Sequence, residues 1–195
     1  MSAVGSYKHK EDSELITNYD LVAAAHGIMG GIELDVASSK IANDYVEAEA
    51  FYTPSDDALN ETEWFGNVYL FPPAGTYYWN ERQEKWRMTR GTSPTLTSSH
   101  DVWFRRLYRE WYKQNIRQAV FFSNCPDMVR YDQRIFNFPI CFLRTAPILM
   151  RNSSNGVKPH KTCTSIVVYL PPIDNSTQKI QDFIHLYEEK GRIVC

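Results

Sequence analysis

Short apolar runs, most of them stopped by a residue that cannot continue a strand, constrain this chain more than any other feature. Residues 32–35 end on Asp35, residues 67–71 run into Pro72-Pro73, residues 118–123 into Asn124 and Pro126, and residues 165–170 into Pro171-Pro172. Proline has no N–H to give to a sheet ladder, so each of these runs is a short strand with a defined end. Residues 140–143 make a fifth candidate. Between them lie segments with helical spacing. Leu21, Val22, Ala25 and Ile28 share one face of residues 19–29, and Gly27, Gly30 and Gly31 crowd the end of that segment. A second helix is expected over residues 39–46 and a third from Asp101. In the third, Val102, Trp103, Leu107, Tyr108, Trp111 and Tyr112 form one apolar stripe with Arg105, Arg106, Arg109 and Lys113 off it. Residues 127–136 and 178–189 complete the helices, with Gly191 past the last end. Strands that alternate with helices predict an α/β fold, a mixed sheet with helices on both faces. Residues 76–100 read as a long irregular loop, and residues 151–162 as a polar connection with Asn155-Gly156 as its turn.

A chain of 195 residues with 43% hydrophobic and 14% aromatic content has the apolar surface for one ordinary core. The expected organisation is a flexible tail over residues 1–14 and a single domain over 15–195. No apolar run approaches the roughly 20 residues of a membrane span, and residues 1–10 lack the apolar core of a secretory signal. An intracellular protein, cytoplasmic or nuclear and not secreted, is therefore expected. Cys125, Cys141, Cys163 and Cys195 have no metal-type spacing, so reduced thiols and no metal site are expected. His26, His100, His160 and His185 are scattered without nucleophile–base spacing, which gives no hydrolase.

The net charge of -2 conceals a segregation. Residues 1–75 hold 3 basic against 13 acidic side chains, whereas residues 76–117 hold 9 basic against 4 acidic. A basic segment suits a polyanion such as DNA. An ordinary solvated surface fits the same density.

The motif-bearing stretch begins with Glu33-Leu34-Asp35-Val36-Ala37-Ser38-Ser39 and Ala42-Asn43. It continues with Phe51-Tyr52-Thr53, Asp56-Asp57-Ala58-Leu59, Trp64-Phe65-Gly66, and Phe71-Pro72-Pro73-Ala74 at a strand end. That order of pieces resembles the phage-type (Dam-like) DNA adenine methyltransferases. Residues 120–124 and 138–144 are similar to the later strands of that family, so the resemblance spans most of residues 15–194. It implies a Rossmann-like fold that binds S-adenosylmethionine, with Asp35 and Ser38 toward the methionine moiety and Asp56 and Asp57 toward the adenosine. Read without the family, Asp35 has the alternative of capping the following helix, and Asp56-Asp57 more often mark a turn after Pro54-Ser55.

The chain departs from the family at the catalytic strand end. The family carries Asn-Pro-Pro-Tyr, where the Asn accepts a hydrogen bond from the target amine and the Tyr stacks on the flipped base; here Phe71 and Ala74 stand at those positions. Val36 also replaces the usual Pro. Three function classes stay open: a catalytically weakened or inactive relative that binds DNA, cofactor or a partner subunit; an active enzyme with a non-standard motif; and a domain with a structural role alone. The cofactor is S-adenosylmethionine, retained or lost with the chemistry. The expected DNA-facing residues are Tyr77, Tyr78, Trp79, Arg82, Lys85, Arg87 and Arg90, giving weak and sequence-tolerant binding. A second copy, or an active methyltransferase subunit, is the expected protein partner.

Overall fold

The computed structural model describes residues 14–89, 95–152 and 156–195. Its centre is a seven-stranded mixed sheet. Four strands are parallel: β2 (Leu34–Asp35), β3 (Ala50–Phe51), β4 (Asn67–Leu70) and β8 (Gln118–Ser123), in the spatial order β3-β2-β4-β8. Beyond β8 the sheet continues antiparallel through β12 (Ile166–Leu170), β9 (Ile140–Leu143) and β13 (Gly191–Val194). Two small antiparallel sheets flank it. One joins β1 (Leu15–Ile16), β10 (Ile148–Arg151) and β11 (Lys158–Lys161); the other joins β5 (Thr76–Asn80), β6 (Lys85–Thr89) and β7 (Thr97–Ser98).

Alternate residues of the central strands serve opposite faces, as the pleat requires. Val68, Leu70, Ala119 and Phe121 pack with Phe104 and Leu107 of α3 (Ser99–Tyr112). Tyr69, Val120 and Phe122 pack with α1 (Tyr19–Met29) and α4 (Ser176–Tyr187). There Tyr169, Phe183 and Tyr187 stack in series, with ring centroids 5.6 and 4.5 Å apart. Helices therefore cover both faces of a mixed sheet, as the alternation predicts. The helix ends follow local chemistry. Asn18 caps α1 by accepting from the Leu21 N–H, and Gly30 closes it at φ 76°. Ser39 caps α2 (Lys40–Val46) through the Ala42 N–H.

The register of β4 against β8 has a polar lock at its amino end. Gln118 Nε2 donates to Asn67 Oδ1 at 2.8 Å and to the Met29 carbonyl at 3.0 Å, and Tyr169 OH donates to Gln118 Oε1 at 2.5 Å. All three side chains are buried, and a one-residue slip would orphan every one of these bonds.

Several expectations are corrected. Residues 76–89 are not an irregular loop: β5 and β6 form an antiparallel hairpin, its turn held by Asn80 Oδ1, which accepts from the Arg82 and Gln83 N–H groups. Aromatic and β-branched residues on both sides of the polar run 80–84 carried that signal. The helix placed at 127–136 is two 3-10 turns, Pro126–Arg130 and Gln133–Asn137, broken where Asp132 accepts from the Arg134 N–H. The polar connection 151–162 contains β11, while its turn residue Asn155 lies outside the described residues. Of the expected tail, residues 1–13 lie outside the described residues.

Gly191 lies past the end of α4, as expected, and opens edge strand β13. A Cβ there would sit 2.1 Å from the Phe142 carbonyl oxygen of β9. Because that neighbour is backbone in a paired strand, Gly191→Ala is expected to destabilise the protein by about 3 kcal/mol. Urea unfolding checks this; an unchanged midpoint would show that β13 does not close against β9 as described.

Candidate functional site

After β2 the chain passes through α2 to β3 on one side of β2, then returns past β2 to β4 on its other side. The order of strands therefore reverses between β2 and β4, and ligand crevices of open α/β sheets form outside the carboxyl ends of strands at such a point. Asp35 closes β2, and Phe71-Pro72 follow β4 there. A cleft of about 1350 Å³ opens between them, with Asp35, Ser38, Asp57, Phe71-Pro72-Pro73-Ala74, Tyr77, Tyr78 and Arg87 in its walls.

Asp35 is 3% exposed, and its Oδ1 accepts from the Ala37 N–H at 3.2 Å. Burial pushes its carboxyl up to about 7; hydrogen bonds from Ser38 and Ala37 hold it down in part, and the charge of Glu14 adds to the rise. The cap of α2 is Ser39, whose hydroxyl also donates to Glu14 Oε2 at 2.6 Å. Asp35 is thus free of the capping role that its sequence position allowed. Ser38 is buried beside it, its N–H on the Tyr52 carbonyl at 2.9 Å.

The paired acids separate. Asp56 is exposed, closes a capping box with the Thr53 N–H (2.7 Å) and hydroxyl (2.8 Å), and is not among the cleft residues. Those bonds hold its carboxyl below the usual range, so the turn reading describes Asp56. Asp57 faces the cleft but is already engaged: Asn60 Nδ2 donates to Oδ1 at 2.7 Å and Arg87 Nη1 to Oδ2 at 3.3 Å.

Phe71 is 9% exposed and packs edge-on against Phe122 at 4.8 Å, with the His100 ring at 6.4 Å. Pro72 is buried, Pro73 half-buried and Ala74 exposed. Tyr77 is buried, its hydroxyl accepting from Trp103 Nε1 at 3.3 Å, while Tyr78 is exposed at the cleft. Trp79 is exposed, edge-on to Trp86 at 5.5 Å, and it is Trp86 that lines the cleft.

Of the expected cationic contacts, Arg90 lies outside the described residues and Arg82 is on the exposed hairpin turn. Lys85 pairs with Glu61 and Arg87 with Asp57. On α3, Arg105 forks onto Asp101 at 2.9 Å, and Arg106 and Arg109 meet Glu110 at 2.9 and 3.3 Å. The charge segregation in the sequence is thus partly internal: Lys85 and Arg87 of the hairpin fold back onto the acidic first segment.

Sequence reasoning missed several cleft residues. Glu14 and Thr17 wall it from the N-terminal strand, and Thr17 Oγ1 accepts from the buried Tyr69 hydroxyl at 2.6 Å. Tyr52 and Trp86 give it aromatic walls, and Asn124 reaches it from the end of β8. The last was visible as a polar residue just past a strand's carboxyl end, but only as punctuation. Behind it His100 is buried with Nδ1 3.0 Å from Ser123 Oγ, and burial lowers the imidazole to about 4, which leaves it neutral. Among the described residues no group of three or more His, Cys, Asp or Glu side chains could hold a metal ion, and no helix is long and apolar enough to cross a membrane.

Comparison with protein-family models, with curated proteins and with solved structures found no match to this chain.

Proposed function

We propose that this chain is a Dam-like, Rossmann-like methyltransferase domain that binds S-adenosylmethionine and has weakened or lost transfer to adenine in DNA. The observation that carries this reading is the convergence of Asp35, Ser38, Asp57 and Phe71-Pro72-Pro73-Ala74 on one cleft, beyond the carboxyl ends of the adjacent parallel strands β2, β3 and β4. These pieces are up to 39 residues apart in sequence, and their meeting at one cleft supports the reading.

The donor set fits the cofactor. Asp35, with Glu14 nearby, offers a carboxylate to an ammonium or sulfonium group, and the aromatic walls Tyr52 and Trp86 suit an adenine ring. A cleft of about 1350 Å³ exceeds the roughly 300–1,000 Å³ of ordinary small-molecule sites, leaving room for a second planar ligand. The bound cofactor would supply an electrophilic methyl group. Phe71 supplies no acceptor to orient an incoming amine, and Ala74 supplies no stacking platform, so the standard route for the amine is missing. Nucleic acid remains the proposed partner, with weak binding because Lys85 and Arg87 already have carboxylate partners, and sequence-tolerant because phosphate contacts position rather than read sequence. Self-association, or docking on an active methyltransferase subunit, is the alternative use of the same face.

Calorimetric titration of S-adenosylmethionine into the intact chain tests the reading, with micromolar binding expected. Gel shift with single-stranded DNA at low salt is expected to show a weak complex that 200 mM salt removes. Absence of cofactor binding would overturn the methyltransferase reading; cofactor binding without any DNA shift would leave the protein-docking use of that face.

A further inference from the structure

We infer that the exposed side of α3, with the two 3-10 turns beside it, is a second binding surface, built for single-stranded nucleic acid. This use of α3 rests on the nucleic-acid part of the proposed function and is independent of the cofactor.

Helical spacing puts Arg105, Tyr108, Arg109 and Tyr112 on one side of α3, away from Phe104 and Leu107, which meet the sheet. The rings on that side form a column. Tyr108 and Tyr112 are stacked, with centroids 5.9 Å apart and 16° between their planes. The Arg134 guanidinium, from the second 3-10 turn, lies 4.6 Å from the Tyr108 ring centroid. Phe138 meets Tyr108 and Trp111 edge-on at 6.1 and 5.0 Å. Trp111 is pinned in turn, its Nε1 donating to the Pro171 carbonyl at 2.7 Å. The column thus has a fixed base and an open end, for Tyr112 is 68% exposed. A ring held flat in water on such a support is a platform to which a base can add one more layer. Tyr131 and Phe136, on the segment that carries Arg134, are exposed as well.

Charge is layered too. The side chains of Asp101, Glu110 and Asp132 are buried, and each holds an arginine: Asp101 holds Arg105, Glu110 holds Arg109, and Asp132 holds Arg134. Those three arginines are 44 to 52% exposed. A buried carboxylate fixes the direction of a guanidinium and leaves its outer N–H groups for a phosphate. Lys113 and Arg130 add exposed cations, against the exposed acid Asp127. Solvent therefore meets cations and open rings together, which fits a strand that offers phosphates and unstacked bases. A duplex keeps its base faces stacked on one another and has none to give Tyr112.

The surface is separate from the cleft. α3 starts beside the Pro-Pro turn, where the Ser99 N–H donates to the Gly75 carbonyl, and Trp103 is in the cleft wall. It ends near the amino end of β8, with Trp111 bonded to Pro171 past the end of antiparallel β12. Tyr112 is thus at the edge of the sheet away from the cleft, whereas Arg87 of the hairpin lines the cleft itself.

Fluorescence anisotropy on the full chain tests this, with two labelled probes of roughly 20 residues at about 50 mM salt. One is an oligothymidylate; the other is a strand of abasic sites, which keeps the phosphates and lacks the bases. Wild type is expected to bind the oligothymidylate about tenfold more tightly than the abasic strand. Tyr112→Ala is expected to cost about tenfold on the oligothymidylate and little on the abasic strand. Arg109→Ala with Lys113→Ala is expected to weaken both, and to reduce the slope of log affinity against log salt by about 1.4, the share of two phosphate contacts on a single strand. Lys85→Ala with Arg87→Ala, on the hairpin, is expected to lose less. A loss confined to the hairpin variant overturns the α3 surface and leaves the nucleic-acid reading in place. Equal binding of both probes by wild type overturns the stacking platform and the surface with it. No binding of either probe by wild type overturns both the surface and the nucleic-acid reading. If Tyr112→Ala instead disperses a dimer seen by sedimentation, with strand binding unchanged, the face is a contact between copies of this chain and the nucleic-acid surface is overturned.

Discussion

The double change Phe71→Asn with Ala74→Tyr is expected to raise methyl transfer to adenine in DNA by roughly 30- to 10⁴-fold over the unmodified protein. The range comes from two contributions of about 1–3 kcal/mol each, an acceptor for the target amine and a stacking platform for the base, converted to rate. The structure adds a cost that the motif alone does not reveal. Phe71 is a packed side chain touching Phe122 and near His100, so Phe71→Asn removes core volume and is expected to destabilise by about 3–5 kcal/mol. Ala74 is exposed at the cleft mouth, and Tyr there costs little. The assay therefore belongs at low temperature, with labelled cofactor, alongside a denaturation curve. A folded double variant that binds cofactor but transfers no faster than wild type would remove the motif argument. Robust transfer by the unmodified protein would show that the acceptor is supplied from elsewhere.

The second large effect concerns Asp35 and pH. Its folded-state value near 7 lies about three units above that of an exposed aspartate. The folded chain thus holds this proton more tightly than the unfolded chain. The corresponding stability is fully present below about pH 4 and is lost as pH rises to about 7, with no further change above. Asp35→Asn removes the charge that must otherwise be buried, so at pH 8 it is expected to stabilise the protein by about 2–4 kcal/mol. Below pH 4 the gain should vanish. Chemical denaturation at pH 4, 6 and 8 measures this, and a pH-independent difference between the two proteins would refute the buried-proton account. Ligand binding should run the other way. A cationic cofactor group beside Asp35 favours the carboxylate, so affinity for S-adenosylmethionine is expected to be about tenfold weaker at pH 6 than at pH 8. Asp35→Asn should flatten that dependence and weaken binding at pH 8 by about 10- to 100-fold, the worth of a charge-assisted hydrogen bond. A residue that stabilises when neutralised and binds when charged is held for its ligand at the expense of the fold.

The charge map bears on how DNA binding should be probed. Lys85 and Arg87 are each within ion-pair distance of an acidic side chain from residues 57–61. Partly exposed pairs of this kind contribute about 0–1 kcal/mol, so phosphates can compete for them. Because Arg87 also occupies Asp57, a ligand that claims Asp57 would release Arg87 toward solvent. Under the proposed function, cofactor and nucleic acid binding would thereby be connected through one guanidinium.

What the sequence determined by itself was local in origin. Prolines and acidic or amide residues after short apolar runs fixed where β2, β4, β8 and β12 end. β2, β4 and β8 are parallel, so their ends share one edge, which brings Asp35 and Phe71 to one cleft, whereas antiparallel β12 ends at the other edge. The period-3.6 patterns set all four α-helices to within two residues at each end they named, while the helix expected over 127–136 is two 3-10 turns. The tertiary structure decided everything that depends on partners distant in the chain. Arg87 meets Asp57 across 30 residues and His100 meets Ser123 across 23. β13 finds β9 by register, and the hairpin of β5 and β6 exists because two runs read as loop pair with each other. No local preference specifies such pairings, since they are selected by the burial and hydrogen bonding that they complete together. The same reason separates Asp56 from Asp57, neighbours of identical chemistry. A capping box takes the first for the turn, and a left-handed residue at φ 50° turns the second into the cleft.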